Sequence, residues 1–206
     1  MEIVFIIIIL LFSVIIHELA HGYMALYLGD PTARLAGRLT LNPIKHLDPV
    51  GSVLVPIIAY MTAGFAFGWA KPVPYNPYNL KNKRSGEALV AFAGPLSNII
   101  LATVFAIIIR LVLAMPEVFG SLANQEFIQM ISYIVLINIV LAIFNLIPVP
   151  PLDGSKLLFS IFPDQYGRLR MTLEQFGPIL FIVVIFFLWG FISRVVPILF
   201  KLLIGV

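Results

Sequence analysis

The strongest constraint on this chain is its long apolar runs. From Ile3 to Ile16 the only polar side chain is Ser13, and comparable runs recur at Ala88–Met115, Phe127–Leu146 and Thr172–Ile192. A helix of about 20 mostly apolar residues is long enough to cross a bilayer. Composition agrees: 61% of the 206 residues are hydrophobic and 11% charged, against about 45–50% and about 25% in soluble domains. A soluble core cannot hide that much apolar surface in a chain of this size. The reading is an all-α polytopic membrane protein, with about four to six transmembrane helices and the lipid bilayer as its solvent. The start, Met1-Glu2 followed by the apolar run, lacks the basic n-region and small-residue cleavage site of a signal peptide. The run is therefore expected to stay in the protein.

The first helix is expected over Ile3–Leu28, ending at Gly29-Asp30-Pro31, a helix stop. Val50–Trp69 is apolar but carries Pro56, Gly64 and Gly68, which weakens a helix there. A basic, proline-rich stretch from Lys71 to Arg84 follows. Pro148-Val-Pro-Pro151 must end the helix that closes at Leu146, because proline has no N–H to donate. A short amphipathic piece, Ser155–Phe162, precedes the last helix, and the tail from Ser193 is too short to span alone. With no internal repeat or linker, residues 1–206 are expected to form a single membrane-embedded domain.

Within the first helix stands His17-Glu18-Leu19-Ala20-His21, the pattern H-E-x-x-H. Residues four apart share a helix face, so both imidazoles can reach one ion, with Glu18 beside them as a proton acceptor. Ionisable residues within a span are costly and mark functional sites by default. The competing readings are chance and a structural His–Glu pairing. A catalytic zinc site takes three protein ligands and one open position. The chain has no cysteine, which excludes thiolate ligands, disulfides and cysteine nucleophiles. The third ligand is then His46 or an acid. Of the ten acids, Glu18 is assigned as base and eight lie in or near polar loops or element ends. Asp153 remains, with a helix cap as its alternative role. His46 is otherwise a turn histidine at the membrane interface.

Geometry offers an independent check. His17 lies about 20 Å along its helix, some two-thirds of the way across a roughly 30 Å core. Asp153 lies just past the helix ending at Leu146. The two meet only if those helices run in the same direction, which requires one full crossing between them. Val50–Trp69 is therefore expected to be a re-entrant or strand-containing element, with a true span and a distorted helix elsewhere as the alternative. The re-entrant course places Arg34, Arg38, Lys45, Lys71, Lys81, Lys83, Arg84, Lys156, Arg168 and Arg170 on one side, cytoplasmic by the positive-inside rule. A formal charge of +3, so distributed, gives no nucleic-acid reading.

These residues resemble the site-2 protease family, membrane zinc metalloproteases of the M50 type. The resemblance is carried by His17-Glu18-x-x-His21, by Gly94-Pro-Leu-Ser-Asn98 and by Asn145-Leu-Ile-Pro-Val-Pro-Pro-Leu-Asp153-Gly154. Leu41-Asn-Pro-Ile-Lys-His46-Leu-Asp-Pro-Val-Gly51 and Gly68-Trp-Ala-Lys-Pro-Val-Pro add to it. It implies one zinc ion per chain on His17, His21 and Asp153, with Glu18 as general acid/base. It implies that Asn145 orients or stabilises the reacting peptide and that Asn98 supports the site. The expected activity is hydrolysis of a peptide bond in or near a transmembrane helix of a membrane-protein substrate. The expected form is minimal, without a PDZ or CBS domain, in a prokaryotic cell membrane with the active site nearer the cytoplasm. Arg38–Asn42 and Lys71–Asn76 are strand-like stretches that could clamp an extended peptide, with ordinary loops as the alternative. The competing functions are a non-proteolytic zinc-binding or transport protein and a non-catalytic interaction protein. The scarcity of further intramembrane acids opposes the first, and the intact Glu18 opposes the second.

Overall fold

The computed structural model of the chain describes residues 2–54, 58, 61, 71–120, 124–162 and 167–205. Six helices carry the fold: α1 (Glu2–Tyr27), α2 (Lys83–Ala114), α3 (Gln125–Leu146), α4 (Asp153–Ile161), α5 (Gly167–Gln175) and α6 (Gly177–Ile204). Among the described residues four helices are long and apolar enough to cross a membrane: α1, α2, α3 and the Phe186–Ile204 part of α6. The reading of Val50–Trp69 as re-entrant falls largely outside the described residues. Its described beginning lies in a π-helical turn, Pro49–Leu54.

Helix direction follows from polar contacts at matched heights. At one end the Glu2 carboxylate accepts from Gln129 Nε2 at 3.1 Å and from the Tyr133 hydroxyl. Further along, Asn138 Nδ2 donates to Ser13 Oγ at 3.0 Å. Both pairs advance together along the chain, so α1 and α3 run parallel, as the His17–Asp153 argument requires. Helix α2 lies antiparallel to α1, since His17 meets Asn98 while the later His21 meets the earlier Val90. The end of α2 meets the end of α6, where Arg110 Nη2 donates to the Leu202 carbonyl at 2.5 Å.

Helices in lipid associate through close packing rather than apolar burial, and small residues permit it. The buried face of α2 reads Ala91, Gly94, Pro95, Asn98, Ala102 and Ala106, at helical spacing. Around it Ile109, Ile131, Val135, Ile139, Ile192 and Val196 form the main apolar cluster. Helix α2 begins at Lys83, five residues before the apolar run, because Asn82 caps it by accepting from Ser85 N–H at 3.2 Å. The last helix differs more from expectation. It starts at Gly177 rather than Thr172 and continues through Ser193 and Pro197 to Ile204, so the tail is part of it. Polar Ser193 and Arg194 and an internal proline interrupt the apolar pattern, but a membrane helix tolerates such a proline where neighbours satisfy the backbone.

Among the described residues there is no strand. Arg38–Asn42 and Lys71–Asn76 are irregular. Proline fixes its own φ and drives the residue before it to extended backbone, so Lys71-Pro72-Val73-Pro74 is held open. This strap, Lys71 to Lys81, is fastened to the end of α1 and the loop after it. Lys71 N–H donates to His46 O at 2.9 Å and Lys81 N–H to Leu28 O at 3.0 Å. Arg38 Nη2 donates to the carbonyls of Lys71 and Pro72 at 2.7 and 3.3 Å. Asp30, fully buried, accepts from Asn76 N–H at 2.6 Å and Asn79 Nδ2 at 2.8 Å.

Candidate metal centre

Both histidines of α1 are buried and oriented by α2. His17 Nδ1 donates to Asn98 Oδ1 at 2.6 Å, and His21 Nδ1 donates to the Val90 carbonyl at 2.6 Å. Each contact fixes the neutral tautomer that leaves Nε2 as a lone pair, the device by which outer partners orient ligating imidazoles. Asn98 is itself fixed. Its Nδ2 donates to Asn138 Oδ1 at 2.8 Å, and Asn138 Nδ2 donates to Ser13 Oγ and to the Ile134 carbonyl. Three helices thus share one buried polar relay ending on His17. Gly94 makes room for it. A Cβ there would lie 2.6 Å from His17 Cε1 and closer still to His21 Nε2.

Asp153 opens α4 but does not cap it: the N-cap position is Leu152, with no side-chain capping bond. Its carboxylate turns to the histidines instead. Oδ2 lies 3.1 Å from His17 Nε2 and 3.0 Å from His21 Nε2, while Oδ1 accepts from Lys156 Nζ at 3.3 Å. Helix α4 reaches this position because residue 154 is glycine. A Cβ on Gly154 would lie 2.5 Å from the Leu146 carbonyl carbon and closer to the Leu146 and Ile147 oxygens. The Lys156 ammonium beside Oδ1 favours the carboxylate form of Asp153.

The three donor atoms fit a zinc ion. His17 Nε2 and His21 Nε2 stand 3.0 Å apart, and with both Nδ1 protons committed these are two lone pairs facing each other and a carboxylate. Such a set is repulsive unless a cation lies between its members. Tetrahedral zinc with bonds of about 2.0 Å has ligand atoms about 3.3 Å apart, close to the 3.0–3.1 Å separations here. Among the described residues His17, His21 and Asp153 form the only such cluster.

The other expected residues lie as follows. Glu18 Oε2 accepts from the Val73 N–H of the strap at 2.7 Å. Asn98 sits directly behind His17. Asn145, in the last turn of α3, donates one Nδ2 proton back to the Leu141 carbonyl at 3.0 Å. His46 is buried in the loop after α1 with Nε2 donating to the Thr40 carbonyl at 2.8 Å, outside the cluster of three. Sequence reading did not single out Ser13 or Asn138, although each is an isolated polar residue in an apolar run, the usual mark of interhelical hydrogen bonding. It placed Lys156 only among the cytoplasmic charges and passed over the Val73 N–H. The latter is a backbone group that no side-chain pattern reveals.

The family model described as Peptidase family M50 matches residues 5–116 and 109–191. YwhC of Bacillus subtilis is 40% identical over 179 residues, covering 87% of this chain and 78% of that protein. Rip2 of Mycolicibacterium smegmatis is 27% identical over 175 residues, covering 85% of this chain and 64% of that protein. Zinc metalloprotease MJ0392 of Methanocaldococcus jannaschii is 28% identical, covering 80% of this chain and 36% of its own length. No solved structure matches. Helices long enough to span, a family match over most of the length and a donor set suited to zinc converge, and the chain belongs to peptidase family M50, as a zinc metalloprotease of the membrane.

Proposed function

We propose that this protein hydrolyses a peptide bond in or near a transmembrane segment of another membrane protein, using one zinc ion held by His17 Nε2, His21 Nε2 and Asp153 Oδ2. The observation that carries the reading is that all three donors are buried and that His17 and His21 stand on a helix long and apolar enough to cross a membrane. Bound zinc supplies a Lewis acid that acidifies water and polarises the scissile carbonyl. Glu18 takes the proton of the attacking water and delivers it to the departing amine nitrogen. Asn145 keeps one Nδ2 proton beyond its bond to Leu141 and offers it to the developing oxyanion, a contact worth about 3 kcal/mol where measured in other hydrolases. Asn98 holds His17 in its ligating tautomer. His46 acts on the loop rather than the metal. The basic residues of the α1–α2 connection, with Lys156 in α4 and Arg168 and Arg170 in α5, support a cytoplasmic position for this end of the bundle, and the bacterial and archaeal relatives support a prokaryotic cell membrane. Residues 1–206 act as one domain.

The test is reconstitution of the zinc-loaded protein with a panel of single-span peptides carrying helix-breaking pairs at different depths, with products read by mass spectrometry. Cuts at or within the span that vanish in Glu18→Gln are expected. Cleavage that persists in Glu18→Gln, or cuts confined to soluble flanks, would overturn the reading.

A further inference from the structure

The strap deserves its own chemistry, because it delivers a single backbone donor to Glu18. Pro72 and Pro74 have no N–H, so within Pro72-Val73-Pro74 the one available donor is Val73 N–H, and it lies 2.7 Å from Glu18 Oε2. The surrounding fastenings all constrain that atom. Two residues earlier the Lys71 N–H is bonded to His46 O, and Arg38 holds the carbonyls of Lys71 and Pro72. Three residues later Asn76 N–H is bonded to buried Asp30. The Val73 side chain is buried on Gly22, next to ligand His21. A Cβ at Gly22 would lie 2.8 Å from Val73 Cγ1 and 2.6 Å from Leu39 Cδ2. Neither Gly22 nor the prolines contribute any reactive group, yet together they set the distance between one amide and one carboxylate.

We propose that the strap is a positioning element of the reaction: Val73 N–H pins Glu18 Oε2 and leaves Oε1 as the single working oxygen of the general base. This rests on Glu18 being that base. A carboxylate on a free side chain turns about its terminal torsion, which is broad and roughly two-fold. Pinning one oxygen removes that freedom before water arrives, so the proton moves to and from one fixed point. The expected signature is loss of turnover without loss of substrate or metal binding.

The test compares wild type with Val73→Pro, which deletes the donor from a backbone already extended by its neighbours, and with Val73→Ala, which keeps the donor. A third protein carries an ester in place of the Val73 amide, with the valine side chain intact. Zinc content, kcat and KM are measured on the fastest-cut peptide of the panel. Affinity of the zinc-loaded proteins for a peptidyl hydroxamate, whose hydroxyl proton passes to the general base, is measured alongside. Expected are unchanged zinc and KM, with kcat reduced in Val73→Pro and the ester by up to about 10²-fold, the scale of a small misplacement of a catalytic group. Hydroxamate affinity should weaken in step, and Val73→Ala should lose far less. An ester protein with wild-type kcat and hydroxamate affinity would overturn the proposal, and so would Val73→Ala as impaired as Val73→Pro. If Val73→Pro fails to fold, the ester decides. Wild type that neither cuts nor binds hydroxamate would instead reject the proposed zinc hydrolysis on which this rests.

Discussion

At the scale of single residues, Gly94 and Asn138 make the sharpest predictions. Gly94 faces the two imidazoles across the α1–α2 contact, and an added methyl would strike rings already fixed at their far nitrogens by Asn98 and Val90. Gly94→Ala is therefore expected to lose its zinc while keeping its helical circular dichroism, with metal content giving the answer. Full zinc occupancy would show that the rings can retreat. Asn138 touches no ligand, yet it determines which way the Asn98 amide points. Removing such an outer partner costs about 10–100-fold in metal affinity, so Asn138→Leu should weaken zinc binding by that order in a chelator competition. Retention of wild-type affinity would reduce the relay to packing. The meeting of the two histidines was legible from their spacing, and the approach of Asp153 to them from elimination among acids. The relay was not, because it joins residues 13, 98 and 138, and only the helix packing brings them to one height.

Among the elements, the strap depends on Asp30. Burial pushes that carboxyl up, but hydrogen bonds from Thr32, Asn79 and Asn76 outweigh it and hold it below its ordinary 3.8. A depressed folded value means the unfolded chain takes up the proton first. The contribution is thus complete above the ordinary carboxylate value and is lost as pH falls through the lower folded value. Protection factors for hydrogen exchange at the amides of residues 71–81 should fall on acidification below about pH 4. Asp30→Asn should show low protection already at neutral pH and little further change. Equal protection at all pH values in both proteins would exclude the anchor. Helix positions were largely readable from apolar runs, and their errors lay at ends. The start of α2 is set by the Asn82 cap, and α6 passes Pro197 with Ile192, Val196 and Ile204 on either side of it buried in the main apolar cluster.

For the whole molecule, the parallel course of α1 and α3 is what lets residues 17 and 153 meet. That course was argued from the sequence by counting crossings, while the re-entrant reading of Val50–Trp69 lies largely outside the described residues. The absence of cysteine makes orientation directly measurable. Single cysteines at Lys81 and at Glu117 should react with an impermeant maleimide from opposite faces, Lys81 from the cytoplasmic one. Labelling of both from one face would break the proposed topology.

The polar relay also bears on how the protein is made. His17 leaves the ribosome early, but the amide that sets its tautomer arrives with α2, the residue that orients that amide arrives with α3, and the acid follows α3 at residue 153. On the proposed ligand set, a nascent chain carries an incomplete, misoriented centre throughout its insertion. Hydrolytic competence then comes into being only when the third span has docked, so the translocation machinery never holds an active protease half-built beside its other clients.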